Sequence, residues 1–132
     1  MADIEDGDQE YEEELINKIN EQFPDCPFAI LCIDNIEELD DVFSNEPYIY
    51  IYDNRATKSN YYYSEVQDRK RFRHYLKITR KNNQPITLRQ VLLKMSKCKH
   101  YSDEIISSDP HNFLEFFDRK IGSNIYCCFF GS

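Results

Sequence analysis

The chain has 132 residues, 41% of them hydrophobic and 30% charged, with a formal net charge of −8. That length and apolar share suffice for one hydrophobic core and fall short of two. No stretch approaches the ~20 apolar residues that a bilayer-crossing helix needs, and residues 1–14 are acidic where a leader peptide would be basic, so the chain is expected to stay in the cytoplasm, away from membranes.

Charge is unevenly placed along the chain. Residues 1–53 carry 17 acids against the single base Lys18, whereas residues 54–100 carry 13 bases against Glu65 and Asp68. Five cysteines, Cys26, Cys32, Cys98, Cys127 and Cys128, form an odd set without a C-x-x-C pair, which fits reduced thiols better than a disulfide framework.

Residues 1–9 contain Asp3, Glu5, Asp6 and Asp8 with little to bury, and read as a flexible acidic tail before a single domain spanning 10–132. From Glu10, the residues Tyr11, Leu15, Ile16, Ile19 and Phe23 fall on one helical face. Glu12, Glu13 and Glu14 crowd the first turns, where the helix dipole favours anions, and Pro24 stops the run. Residues 28–33 are continuously apolar over a strand's length and predict a buried strand. Asp34 with Glu37 three residues on, followed by Ile36, Leu39, Val42 and Phe43 at helical spacing, predicts a short second helix.

After Pro47 the pattern alternates, with Tyr48, Tyr50 and Tyr52 on one face of a predicted strand and Ile49 and Ile51 on the other. Residues 53–60 read as a loop, and Tyr61, Tyr62, Tyr63 and Val66 predict a further strand. Phe72, His74, Leu76 and Ile78 then alternate with Arg71, Arg73, Tyr75, Lys77 and Thr79, so the next strand buries one face and shows cations on the other. His74, on the apolar side, reads as an ordinary core or edge imidazole.

Residues 81–85 turn the chain into the best specified element. Thr87 can accept from the Gln90 amide while the Gln90 side chain reaches back to the Thr87 amide, with Ile86 and Val91 at the staple positions. Leu88, Val91, Leu92 and Met95 form the apolar stripe, and Arg89, Gln90, Lys94 and Lys97 face away. Further on, Asp109 as a cap, Pro110 at the first helical position, Phe113, Leu114 and Phe117 as an apolar face and Gly122 as a stop predict another helix. Residues 125–130 are near-continuously apolar and predict a covered strand, with Cys127 and Cys128 pointing to opposite faces. The whole reads as an α+β domain, with an antiparallel or mixed sheet of about four or five strands covered on one face by helices led by residues 87–98.

The segments at residues 85–91, His100 with Tyr101, residues 109–114 and the terminal Phe129, Phe130, Gly131 and Ser132 resemble short uncharacterised proteins of large amoeba-infecting DNA viruses. The resemblance covers the C-terminal third. It implies a viral origin and action in the infected cell or the virion, and it implies no activity.

Chemistry-bearing motifs are sparse. The only glycines are Gly7, Gly122 and Gly131, none in a phosphate-cradling pattern, and no cofactor is expected. Cys98, His100 and His111 with Asp103 or Cys128 offer zinc-ligating atom types without the spacing of a finger or ribbon, and ordinary surface and core roles are the simpler reading. Cys98 or Cys127 with His100 or His111, oriented by Asp109, formally supplies the nucleophile and base of a thiol-dependent enzyme. Nucleic-acid association would use the basic segment 69–81, where Arg69, Lys70, Arg71, Arg73 and Lys77 interleave with Tyr75, and Tyr61 and Tyr63 extend the stacking surface; the net charge opposes it. The favoured expectation is a non-enzymatic interaction protein. It pairs with a second copy as a homodimer and engages a basic protein through Glu12, Glu13, Glu14, Glu37, Glu38, Asp40 and Asp41.

Overall fold

An apolar run with both faces to cover belongs inside a sheet, and β7 (Ile125–Gly131) lies there. The computed structural model describes residues 2–53, 75–102, 107 and 110–131, with side chains described from residue 12 onward. Among these, β1 (Ala29–Ile30), β3 (Tyr48–Asp53), β4 (Tyr75–Thr79), β6 (Phe113–Arg119) and β7 form a mixed sheet in the order β1-β6-β7-β3-β4. β7 runs antiparallel to β6 and parallel to β3, while β3 pairs antiparallel with β4 and β1 runs parallel to β6. A two-stranded ribbon of β2 (Val42–Ser44) and β5 (Ile86–Thr87) lies apart from this sheet. With the helices the fold is α+β.

Side chains alternate as the period of two requires. Ile49 and Ile51 of β3 and Ile78 of β4 are buried in one core with Tyr126, Cys128 and Phe130 of β7. Val91, Leu92 and Met95 of α2 (Leu88–Lys97) complete that core, so this helix covers the isoleucine face. Tyr48, Tyr50 and Tyr52 occupy the opposite face, where Cys127 lies beside Tyr52 in register. Cys128 and Cys127 thus take opposite sides of the sheet. For β4 the alternation holds over 75–79; residues 71–74, His74 among them, and the strand expected at 61–66 lie outside the described residues.

α1 spans Ala2–Gln22, so residues 2–9, expected as a tail, are its first turns. An acidic N-terminal segment complements the dipole of a helix that continues into residues able to pack, and Ile19 is buried with Phe23, which follows the helix. The strand expected at 28–33 pairs only at Ala29 and Ile30.

Two expected helices are corrected. In place of a second α-helix reaching Phe43, a 3-10 helix covers Ile36–Asp40, because Val42 is drawn into pairing with Thr87 in the β2–β5 ribbon. Its cap is Asn35, one residue beyond the expected Asp34: Asn35 Oδ1 accepts from the Glu38 amide at 3.2 Å, and Glu38 reaches back to the Asp34 amide at 2.7 Å. The helix expected from Asp109 to Gly122 is strand β6, the first arm of a hairpin whose turn holds Gly122 at φ +74. The pairing slips between Leu114 and Phe116, which lets Leu114 and Phe117 both face the core three residues apart. A bulged strand therefore carried a helical spacing.

At α2 the expected cap forms, with Thr87 Oγ1 accepting from the Gln90 amide at 3.2 Å. The reciprocal half does not. Gln90 Nε2 donates instead to the Thr79 carbonyl at 3.0 Å, which ties α2 to the end of β4. Replacing Thr87 by Ala is expected to lower unfolding stability by about 1 kcal/mol in urea denaturation. Deleting residues 125–132 removes the strand that joins β6 to β3; the truncated chain is expected to show no cooperative thermal transition, and a soluble, cooperatively melting product would contradict the central role of β7.

Candidate functional site

The acidic surface is built by α1 and the 3-10 helix. Leu15, Ile19 and Phe23 turn inward, which leaves Glu12, Glu13 and Glu14 exposed. Between the two helices runs a cleft of about 160 Å³ with Glu14 and Lys18 on one wall and Glu37 on the other. Glu37 and Asp41 are exposed. The other two predicted acids serve the fold itself: Glu38 closes its capping box, and Asp40 receives Arg89 Nε at 3.0 Å and Nη2 at 3.4 Å. Arg89 also donates through Nη1 to Gln22 at the end of α1. One guanidinium from α2 thereby joins α1, the 3-10 helix and α2. Its hydrogen bonds hold the Asp40 carboxyl below the usual value of 3.8.

On the basic side, Tyr75 and Lys77 sit on the outward face of β4. Tyr75 is 50% exposed and lies 5.5 Å from the Tyr50 ring, while the Lys77 ammonium stands 4.6 Å from the centre of the Tyr48 ring. The predicted Arg69, Lys70, Arg71, Arg73, Tyr61 and Tyr63 lie outside the described residues. A second group of cations was not singled out as a site by sequence reasoning. Lys81, Arg89, Lys94 and Lys97 surround Leu93 in a groove of about 340 Å³ along the outward side of α2. The signal was present in the polar stripe of that helix. Lys81, however, arrives from the turn before β5, where Asn82 and Asn83 adopt φ of 52° and 59° and the Gln84 amide bonds the Lys81 carbonyl.

The third cluster is buried. α3 (Lys99–Ser102) places His100 Nε2 3.0 Å from Asp53 Oδ2 at the end of β3, with side chains 8% and 1% exposed. The neighbouring Tyr101 hydroxyl lies 3.4 Å from Cys128 Sγ, which contacts the Tyr52 carbonyl at 3.2 Å. Burial pushes the Tyr101 hydroxyl well above its ordinary pKa, with Cys128 and Asp53 adding to the effect, so it stays protonated. Cys98 and His100 share the wall of a 250 Å³ cavity with Ile51, Tyr75 and Leu76. The partner of His100 is Asp53, from a strand distant in sequence; the expected orienter Asp109 is outside the described residues. Cys127 lies on the other face of the sheet. Among the described residues no three His, Cys, Asp or Glu side chains converge as metal ligands, and Cys98, His100 and His111 are not gathered into one site.

All five cysteines are free thiols. Burial pushes Cys26 up to about 11 and Cys32 up to about 12, which leaves both poor nucleophiles near neutral pH. No helix among the described residues is long and apolar enough to cross a membrane. Comparison with protein-family models, with curated proteins and with solved structures finds no match.

The Arg89–Asp40 pair has a measurable consequence. Because the folded-state pKa of Asp40 is depressed, its contribution to stability is present above the unfolded value and is lost as pH falls through the folded one. In an NMR titration Asp40 is expected to titrate below 3.8 in the wild type and to return toward 3.8 in Arg89→Ala; identical titration in the two proteins would show that the pair does not form in solution.

Proposed function

We propose that this chain is a non-enzymatic interaction protein that self-associates and engages a basic protein partner through its acidic N-terminal half. The cleft between α1 and the 3-10 helix carries the proposal. There Glu14 and Glu37 stand on facing walls, with Glu12 and Glu13 exposed in the same turns of α1 and Asp41 exposed just beyond the 3-10 helix. Clustered carboxylates of this kind attract a cationic partner over a Debye length and set the association rate more than the final affinity. Of the seven predicted acids, Glu12, Glu13, Glu14, Glu37 and Asp41 form the contact surface, while Glu38 closes its capping box and Asp40, though exposed, is engaged by Arg89. We assign the protein to the cytoplasm, or to the virion, in keeping with its resemblance to viral proteins.

A second reading, association with nucleic acid through the basic segment 69–81, draws on one specific feature. Lys77 over the Tyr48 ring, next to half-exposed Tyr75, combines a phosphate-pairing cation with a ring on which a base can stack.

A lysine-rich peptide serves as the probe, with binding followed by fluorescence anisotropy. Affinity is expected to fall by about tenfold or more between about 0.05 M and 0.5 M salt. The triple variant Glu12→Gln, Glu13→Gln, Glu14→Gln is expected to lose a similar factor without a change in thermal stability. Absence of binding at low salt, or equal affinity in the variant, would overturn the acidic-surface reading.

A further inference from the structure

We propose that the groove along the outward side of α2 receives the acidic first helix of a second copy of this chain. The inference rests on the self-association reading and names the surface that performs it. Four cations, Lys81, Arg89, Lys94 and Lys97, line the groove with no carboxylate among them. Arg89 is the only one of the four with an ion-pair partner among the described residues. Lys81, Lys94 and Lys97 are exposed and of like charge, so an anionic occupant relieves their mutual repulsion.

The two surfaces match in pattern as well as in sign. On α2, Arg89, Leu93 and Lys97 recur at intervals of four residues, so a half-buried leucine is flanked along one line by cations. On α1, Ile16 is 47% exposed and follows Glu12 and Glu13 at four and three residues, so an apolar side chain is flanked by carboxylates on the same side of that helix. Apposed, the two leave an apolar centre within a charged rim, the usual anatomy of a specific interface.

The occupant comes from another molecule. No described side chain of α1 lines the groove, and the chain's own α1 meets α2 through Gln22 and Arg89. Glu13 lies about 14 Å along the helix from Gln22 at a rise of 1.5 Å per residue. The contact already made within the molecule, Arg89 with Asp40 and Gln22, marks the seam where the acidic and basic surfaces adjoin. A two-fold axis near that seam lets each copy offer its acidic helix to the other's groove, which gives a closed, isologous dimer.

Charge exchange tests this, read by light scattering after size exclusion at low salt. The variants are Lys94→Glu with Lys97→Glu, and Glu12→Lys with Glu13→Lys; all four side chains are exposed, and a thermal melt checks that each variant folds. The neutral pair Lys94→Gln with Lys97→Gln replaces the first variant should it fail to fold. The wild type is expected to be a dimer and each variant a monomer, and an equimolar mixture of the two charge-reversed variants is expected to recover the dimer. A monomeric wild type at every concentration would overturn self-association and this inference together. A dimeric wild type whose groove variant remains dimeric would leave self-association standing and overturn the groove. Monomeric variants that do not recover on mixing would likewise overturn the pairing of these two surfaces. A monomeric wild type that binds a short DNA duplex and loses it in Lys94→Glu with Lys97→Glu would replace the second copy by nucleic acid as the occupant.

Discussion

β7 must be covered on both faces and hydrogen-bonded along both edges, and the rest of the molecule takes its place from that requirement. Its core-facing side carries Tyr126, Cys128 and Phe130, and its outer side carries Cys127 against Tyr52. Parallel pairing with β3 puts Asp53 opposite Cys128, which brings the carboxylate to the core side, where His100 meets it. Antiparallel pairing with β6 brings Leu114 into the same core and leaves β1 to close the edge. Among the described residues the helices pack on the isoleucine face, and the tyrosines take the other. The polar cluster at Asp53, His100, Tyr101 and Cys128 is a consequence of this pairing: the sheet brings together groups from β3, α3 and β7 that can satisfy one another only when all three elements are in place.

Charge is organised around a different node. Most of the acids precede residue 54 and most of the bases follow it, and among the described residues the two signs meet where Arg89 engages Asp40. Arg89 sits between them, engaged with Asp40 and Gln22 on one side and lining the cationic groove on the other. A pair exposed to this degree contributes modestly to stability, so its importance is positional. It keeps the 3-10 helix and the end of α1 in register with α2, and so holds the two oppositely charged surfaces in a constant relation. Salt screens any attraction that such exposed charges exert on another molecule.

Elements whose periodicity agreed with their tertiary partners were legible from residues alone. Tyr48 to Tyr52 alternate because the isoleucines face the main core while the tyrosines take the other face, exposed at Tyr48 and buried at Tyr52, and Tyr75 to Thr79 alternate in the same way. Thr87 caps α2 because the cap is a local interaction. Where a distant element intervened, local signals misled. Leu114 and Phe117 stand three apart because β6 is bulged, and Asp109, Pro110 and Gly122 supplied helix punctuation around a strand. Val42 and Phe43 continue the spacing of the 3-10 helix, yet β5 recruits them into a ribbon. Gln90 was expected to complete a local box and bonds the Thr79 carbonyl instead, a partner that packing alone supplies. Among the site residues, Glu12, Glu13, Glu14, Glu37 and Asp41 were readable as exposed acids from composition, whereas the structural duties of Glu38 and Asp40 depend on groups four and 49 residues away.

The sequence by itself determined the polarity of this protein: an acidic first half, a basic middle, an amphipathic capped helix at residues 87–98, and an apolar final strand, all of them properties of neighbouring residues. Only the tertiary structure decided which groups meet. It set Asp53 against His100, joined Arg89 to Asp40, and drew Lys81 to the side of α2 to complete a groove. Those encounters follow from strand order and register, which are chosen by the burial of the whole core and are written in no single stretch of the chain.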